Sequence, residues 1–513
     1  MLAKILSGAN VGLDGVPIEV EVDIASQGLP SFTIVGLADR AVEESKERVR
    51  SAIKNSGGDF PSRKIIVNLA PADLPKEGPQ YDLPIALGLL LASGQVPNGS
   101  DNGLDLDRVL VVGELSLDGD LRKTKGVLPL AVLSKQRGFK TMIVPKDNGQ
   151  EAAIVKGVKV LACNSLKDVT QILLGQKLTN PVKPQKIEFE EDINYGYDFS
   201  QIKGQEHAKR ALEIAAAGGH NVLLKGPPGA GKTMLARSFP SILPPLTFDE
   251  AIEVTKIYSI SGNLGNGQSL ITQRPFRTPH HSASHIGLIG GGNTPRPGEI
   301  SLAHRGVLFL DEFPEFPRYV LEALRQPLED HHITISRAAG TLTFPAQFIL
   351  LAAQNPCPCG FLGDKKRQCS CFPGQIAKYQ RRVSGPLLDR IDIYLEIPAV
   401  DVDKLSADLT VEDSKAIRKR VIRARQIQRG RFKTGHILTN SEMGNAEIKN
   451  FCQITQEGLE LLKQAISSIN LSARGYHRVL KLSRTIADLD GLDSILTEHI
   501  AEALQYRSRD ESH

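Results

Sequence analysis

Alternating and helically spaced apolar residues divide the first ~175 positions into strand and helix candidates, at roughly one domain per 150 residues. Strand-like runs occur at VPIEVEVDI (16–24), SFTIVGL (31–37), KIIVNLA (64–70), RVLVVGELSL (108–117), TMIVP (141–145) and VKVLA (158–162). Between them, the segment from Ala38 to Asn55 places Val42, Val49, Ala52 and Ile53 on one stripe, which predicts a helix stopped by Gly57 and Gly58. The stretch GQKLTNPVKPQKIEFEEDINYG (175–196) has two prolines, mixed charge and few large aliphatics, so it reads as a linker. A second α/β segment starts near Tyr197. From about Asp401 onward the pattern is helical, as in Ile417, Val421, Ala424 and Ile427. The expected organisation is an α/β domain over 1–175, a linker over 176–198, an α/β domain over 199–400 and a helical domain over 401–513. No internal repeat or low-complexity segment interrupts it.

The second domain carries the clearest chemistry. Residues 222–233 read VLLKGPPGAGKT: an apolar run, then Gly226, Pro227, Pro228, Gly229, Ala230, Gly231, Lys232 and Thr233, then a helix through MLARSF. Strand, glycine loop and helix in this order form a phosphate-binding loop. Glycines let backbone N–H groups approach phosphate, and the helix N-terminus adds a favourable dipole. Lys232 reaches the outer phosphates, and the Thr233 hydroxyl suits Mg²⁺. GVLFLDE (306–312) reads as a buried parallel strand with Asp311 and Glu312 at its C-terminal edge, where ligands gather in open α/β sheets. Asp311 suits Mg²⁺, and Glu312 suits activation of an attacking water. A third strand, FILLAAQNP (348–356), ends at Asn355, whose amide is placed to position that water or sense the γ-phosphate; the bland reading is an Asn opening a turn before Pro356.

Composition narrows the class. Of 513 residues, 41% are hydrophobic and 23% charged, an ordinary globular balance. Net charge is only +4, so nucleic-acid affinity would have to come from local patches. The absence of Trp, with 5% aromatics, argues against a carbohydrate platform or an aromatic cage. MLAKILSGANVGLDG lacks the apolar core of a signal peptide, and LPIALGLLLASG (83–94) is too short to span a bilayer, so a cytoplasmic location without membrane contact is expected. Six cysteines then read as thiols or metal ligands. Cys357, Cys359, Cys369 and Cys371 form C-x-C-x9-C-x-C, a set that suits tetrahedral zinc, the alternative being reduced structural cysteines. Cys163 and Cys452 read as small buried hydrophobes. His280, His281, His285 and His304 lack a local acidic or cysteine partner and read as polar loop residues. Between Lys415 and Lys433 lie nine basic residues and no acid, leaving Arg418, Lys419, Arg425 and Arg429 off the apolar stripe; the segment reads equally as a solvated face and as a nucleic-acid contact.

The phosphate loop, LFLDE, the Asn-ending strand, SGPLLDRIDIYLEIP (384–398) and a helical C-terminal unit together resemble the AAA+ ATPases. RPFRTPHHSASHIGLIGGG…PRPGEISLAHRGVLFLDEFPEF (274–316) and LRQPLEDHHITISRAAGTLTFPAQF (324–348) are closest to their magnesium-chelatase-like branch. With the N-terminal domain included, nearly the whole chain resembles the YifB/ComM family. The resemblance implies an AAA+ P-loop core with a helical lid, preceded by a Lon-protease-like α/β domain. It implies ATP and Mg²⁺ as cofactors, Arg390 of LLDRID as an arginine finger, Arg474 (with Arg478 competing) as the lid's sensor arginine, and a homo-hexameric ring.

In the Lon-like domain, LPKEGP (74–79) is followed by Gln80-Tyr81-Asp82 where the Lon nucleophilic Ser belongs, and Leu128 stands where the paired Lys belongs, with Lys123 and Lys125 nearby. A Ser–Lys dyad needs both partners, so a protease fold without protease chemistry is expected, serving to bind a protein partner or load substrate. The 78 residues from Thr233 to Asp311 resemble the branch's helix-2 insertion, with Arg274, Arg277 and Arg296 and a glycine cluster. Family ring geometry would place it, and the hairpin around Ile333 to Thr343 with Arg337, at a central pore. Basic pore loops track a phosphate backbone without reading sequence, which makes Arg274, Arg277 and Arg337 candidate contacts for single-stranded or branched DNA. The family implies helicase and branch-migration activity that promotes DNA integration in natural transformation. A magnesium-chelatase motor subunit fits the ATPase half but not the N-terminal domain. A protein remodeller is the other alternative, and the lack of an aromatic pore loop counts against threading of peptides.

Overall fold

The structure is a computed structural model that describes residues 2–97, 104–177, 179–185, 195–265, 267–292, 295–337, 340–364, 367–399, 412–433, 437–469 and 472–507. Its contacts divide the chain into two compact units: Met1–Glu188 with Phe248–Ile271, and Phe189–Thr247 with Thr272–His513.

The first unit is built on a seven-stranded mixed sheet. Its order is Ser31–Val35, Lys64–Ala70, Asp14–Ile24, Leu2–Val11, Val109–Val111, Thr141–Pro145, Lys159–Cys163. Leu2–Val11 and Asp14–Ile24 form a long antiparallel hairpin, registered from Leu2 opposite Asp23 to Val11 opposite Asp14. The six strand-like runs of the sequence are all found. The sequence pattern does not announce the strand Leu2–Val11, because Ser7, Gly8 and Ala9 break its alternation of large apolar residues. It takes a central place because both its neighbours supply the pairing. The amphipathic segment after Ala38 forms two consecutive helices, Arg40–Glu43 and Ser45–Asn55, and Val42, Val49, Ala52 and Ile53 are fully buried.

The apolar run at 83–94 is the helix Asp82–Ala92, in which every residue is buried. A helix that is apolar all round belongs in a core, and this one packs on the two hairpin strands. Asp82, at its first turn, is enclosed with the rest and is held by Arg48 Nε at 2.7 Å, Arg48 Nη2 at 3.1 Å and the Leu115 N–H at 3.2 Å. The helix Phe248–Ser261 follows the phosphate loop in sequence but packs in this unit, on Val127–Arg137. There Ser259 hydrogen-bonds Glu151, and its carbonyl accepts the Gly126 N–H at 3.1 Å. Gln80 donates to the Gly8 carbonyl at 3.1 Å, Leu128 is fully buried, and Lys123 donates to the Leu264 carbonyl at 3.0 Å.

The second unit is a five-stranded parallel sheet in the order Phe276–Arg277, Val307–Leu310, Ile349–Gln354, Val222–Lys225, Ile393–Glu396. The first strand in sequence lies between the fourth and fifth, so the order reverses beside it. Ligands bind at the carboxyl ends of strands at such a reversal. The C-terminal helices Ser414–Arg431, Asn445–Phe451, Gln456–Ile469, Ala473–Leu489 and Thr497–Gln505 share one apolar core with the sheet. Ser414–Arg431 buries Ile417, Val421 and Ala424, and its cations are largely engaged. Arg420 pairs with Glu213 and Glu412, Arg425 donates to the Ala216 carbonyl, Arg431 pairs with Asp488, and Arg418 is nearly buried. Among the described residues no helix is long and apolar enough to cross a membrane.

Burial pushes the Asp82 carboxyl above its ordinary value, against the opposing pull of Arg48. A carboxyl so raised favours the folded state most at acid pH and progressively less as pH rises. Arg48→Ala, by leaving a buried carboxylate unpaired, should cost about 3–5 kcal/mol near neutrality. The loss should shrink at mildly acidic pH, where Asp82 takes a proton. Urea unfolding of the full chain at the two pH values measures the difference.

Candidate nucleotide site

Val222–Lys225 is short and mostly buried, and it ends directly in the phosphate loop. Gly229 and Gly231 adopt φ of 76° and 86°, and a Cβ at either would meet no atom within 4 Å. Backbone conformation rather than crowding therefore requires glycine there. Gly231 caps the helix Lys232–Ser238. The Lys232 ammonium donates to the carbonyls of Gly226 at 2.7 Å and Pro227 at 2.8 Å, and to Asn355 Oδ1 at 3.2 Å. Burial lowers its pKa from the ordinary lysine value. Asn355 stands one residue beyond the strand Ile349–Gln354, which pairs in parallel with the phosphate-loop strand, Lys225 opposite Gln354.

Thr233 Oγ1 donates to Asp311 Oδ2 at 2.9 Å. A hydroxyl and a carboxylate side by side form an all-oxygen donor pair of the kind magnesium takes, so these residues fit the ion. Asp311 follows the fully buried strand Val307–Leu310, and its Oδ1 accepts the Glu312 N–H at 2.9 Å. Glu312 is left-handed, with φ 53° and ψ 43°. For a residue bearing a Cβ this costs on the order of 1–2 kcal/mol. Strain of that kind gathers at functional sites.

The Glu312 carboxylate lies 3.1 Å from His281 Nδ1. The sequence pattern reads His281 as a polar loop residue and does not reveal this pair. Local spacing carries no sign of it, because 31 positions separate the two residues. The two-residue strand Phe276–Arg277 pairs in parallel with Val307–Leu310, and both chains run past the same sheet edge. Recognition of that short strand would have placed His281 near Glu312.

Two hydrogen-bonded pairs, Lys232–Asn355 and Thr233–Asp311, thus extend from adjacent residues of the phosphate loop, and the Glu312 N–H is bonded to Asp311. Arg390 and Arg474 make their contacts elsewhere. Arg390 pairs with Glu329 and donates to the Pro386 carbonyl at 2.5 Å, and its side chain is only 14% exposed. Arg474 is two-thirds exposed and lies 3.6 Å from Asp389. Arg478, the competing sensor, is enclosed beside Asp392 and donates to the Ile391 carbonyl at 3.3 Å. Burial opposes ionisation of Asp392, but His220 and Arg478 outweigh it and hold the carboxyl at about 2.

The candidate DNA contacts divide. Arg274 donates to the carbonyls of Pro244 and Arg305, both at 2.6 Å, and Arg277 forms a two-pronged pair with Glu299 at 2.6 and 2.7 Å. Both guanidinium groups have acceptors within their own unit. Such forks match carbonyls and carboxylates closely and are not lightly released. Arg337 ends the strand His332–Arg337, which pairs with Gly340–Pro345 in the expected hairpin; its side chain lies outside the described residues. The four cysteines of the C-x-C pairs converge, all sulfurs lying within 4.8 Å of one another.

Comparison with known proteins agrees with this architecture. Residues 198–405 match the family described as magnesium chelatase, subunit ChlI; residues 20–148 match subunit ChlI of Mg-chelatase; residues 411–507 match the subunit ChlI C-terminal family. The chain is 45% identical over 512 residues to competence protein ComM of Haemophilus influenzae, covering 99% of this chain and 97% of that protein. It is also 45% identical over 511 residues to the uncharacterized protein YifB of Escherichia coli, with the same coverage. Lon protease 2 of Bacillus subtilis is 29% identical over 190 residues, 34% of this chain and 32% of that protein. With a P-loop AAA+ core, a helical C-terminal bundle and a Lon-like N-terminal unit, the chain belongs to the YifB/ComM family of magnesium-chelatase-like AAA+ ATPases.

Proposed function

We propose that this chain is an ATP-hydrolysing motor that assembles as a hexameric ring in the cytoplasm and acts on single-stranded or branched DNA, migrating junctions and promoting integration of incoming DNA in natural transformation. The observation that carries the motor reading is the hydrogen-bonded set Lys232–Asn355 and Thr233–Asp311 at the reversal of the sheet. The DNA reading is supported by the relative named competence protein ComM, which matches over nearly the full length of both chains.

In this reading the backbone from Gly226 through Pro227, Pro228, Gly229, Ala230 and Gly231 receives the phosphates, and Lys232 leaves its two loop carbonyls to contact the outer ones. Thr233 and Asp311 hold the magnesium ion that accompanies ATP and neutralises phosphate charge. Glu312 accepts a proton from the attacking water as its oxygen bonds to the γ-phosphorus. The bond from that phosphorus to the ADP oxygen breaks, and ADP and phosphate leave. Asn355 orients the water. His281, 3.1 Å from Glu312, sets where that carboxylate rests before a nucleotide arrives. Arg390 serves as the finger toward a neighbouring subunit's ATP once it exchanges its Glu329 partner, and Arg474, being exposed, is better placed than Arg478 to sense nucleotide.

For DNA, the hairpin carrying Arg337 is the remaining pore candidate, because Arg274 and Arg277 are held by internal acceptors. A groove of about 410 Å³ lined by Lys415, Lys419 and Arg429, with Pro244 and Pro245 opposite, offers a second basic surface. The N-terminal unit holds Gln80 and Leu128 at the dyad positions and serves partner binding rather than proteolysis.

Glu312→Gln should lower ATP turnover on the order of 10²-fold or more while nucleotide still binds, measured by phosphate release and by nucleotide retained on the purified protein. Lys232→Ala should weaken ATP affinity by roughly ten- to a hundredfold, measured by titration with a fluorescent ATP analogue. Turnover should rise with single-stranded DNA and further with four-way junctions. The apparent DNA affinity should fall linearly with salt on logarithmic axes, since phosphate contacts release counterions. A rate indifferent to every DNA would turn the reading to a protein remodeller or a chelatase-like motor subunit.

A further inference from the structure

The loop that follows Asn355 contains a cluster the ATPase chemistry does not use. Cys357 Sγ lies 3.4 Å from Cys359 Sγ and 3.6 Å from Cys369 Sγ, and Cys359 Sγ lies 3.5 Å from Cys369 Sγ. Cys371 completes the group, every sulfur lying within 4.8 Å of the others. Sulfurs in a disulfide are about 2.05 Å apart, so these are four separate thiols. A tetrahedral zinc with Zn–S bonds of about 2.3 Å has sulfur–sulfur edges of about 3.8 Å. Two backbone amides also donate to the cluster, Cys359 N to Cys371 Sγ and Cys371 N to Cys369 Sγ, both at 3.4 Å. Such donors stabilise and orient bound thiolates. Four neutral thiols gain little from this crowding, whereas four thiolates around a soft divalent ion gain a great deal.

The position of the cluster assigns it a task. Asn355, whose amide oxygen accepts from Lys232, lies two residues before Cys357. The turn from Cys357 to Gly360 is closed by the Gly360 N–H on the Cys357 carbonyl at 3.0 Å. Gly360 has φ 85°, and a Cβ there would lie 2.6 Å from Pro228 Cδ, in the phosphate loop, and 3.8 Å from Asn355 Cγ. The cysteine turn therefore rests on the loop that receives phosphate and beside the amide that contacts its lysine.

We infer that Cys357, Cys359, Cys369 and Cys371 bind one zinc ion, and that this metal knot holds Asn355 and Pro228 in the positions nucleotide binding needs. The second half of the inference rests on the reading of the phosphate loop as an ATP site; the first half does not.

The test uses the full chain, purified without chelator from zinc-supplemented medium. Elemental analysis should find about one zinc per chain. Cobalt substituted for zinc should show the absorption of a tetrahedral tetrathiolate. Gly360→Ala should keep its zinc yet weaken the affinity for a fluorescent ATP analogue about tenfold or more, since a displacement of about 1 Å costs on the order of 10²-fold in a preorganised site. Paired Cys369→Ser and Cys371→Ser should lose both zinc and nucleotide affinity. Release of zinc from the wild-type protein by a mercurial, reversed by thiol and added zinc, gives the same comparison without a variant that must fold. Absence of metal from a chain with all four thiols reduced would overturn the site, and iron in place of zinc would overturn the identity of the ion. Bound zinc with unchanged nucleotide affinity in Gly360→Ala and after metal release would overturn the coupling. A chain that binds zinc but no nucleotide would sink the nucleotide reading and the coupling with it, leaving the metal site standing on the cobalt spectrum.

Discussion

The parallel pairing of Val222–Lys225 with Ile349–Gln354 on one side and Ile393–Glu396 on the other is the constraint on which the nucleotide site rests. Parallel neighbours end at the same edge of a sheet. The phosphate loop, Asn355 and, one strand further out, Asp311 and Glu312 are thereby delivered to one place although they are distant in sequence. Lys232 ties the edge together by bridging the carbonyls of its own loop to the amide of the adjacent strand. Loss of the pairing would separate residues that no local motif holds together.

A second theme is how fully the unit spends its cations on itself. Arg274, Arg277, Arg420, Arg425 and Arg431 are each held by a carbonyl or a carboxylate. Guanidinium forks suit such acceptors, and in the helix Ser414–Arg431, which has eight basic residues, Arg420 faces Glu213 and Glu412, Arg431 faces Asp488, and Arg425 meets the Ala216 carbonyl near a helix C-terminus. Lys415, Lys419 and Arg429 line one groove together with Arg418 and Arg425.

The nucleotide site and the cysteine turn also share backbone. Glu312 is held in a left-handed conformation and Gly360 in another, and each lies against a group from a different part of the chain, His281 and Pro228. For Glu312, which bears a Cβ, such a conformation persists only where the surroundings enforce it, whereas Gly360 adopts its own freely. The cleft is accordingly assembled from several segments whose positions depend on one another, which suits a machine that must change state when phosphate arrives and leaves.

Much of this was determined by sequence alone. The phosphate loop, the acidic strand end, the Asn-terminated strand and the alternating runs of the first unit are local patterns, in which side-chain period and glycine placement dictate the element without help from elsewhere. The family followed from the order of those patterns. Tertiary structure decided what depends on distant pairs. It gave Leu2–Val11 a central place that its own small residues do not announce, and it joined Phe248–Ser261 to the first unit. It also brought His281 to Glu312, turned Arg274 and Arg277 inward, and set the cysteine turn against Pro228. The physical reason is the same in each case. A side chain's intrinsic preferences are written in its neighbours along the chain, whereas its partner in space is chosen by strand order and packing, to which residues hundreds of positions apart contribute.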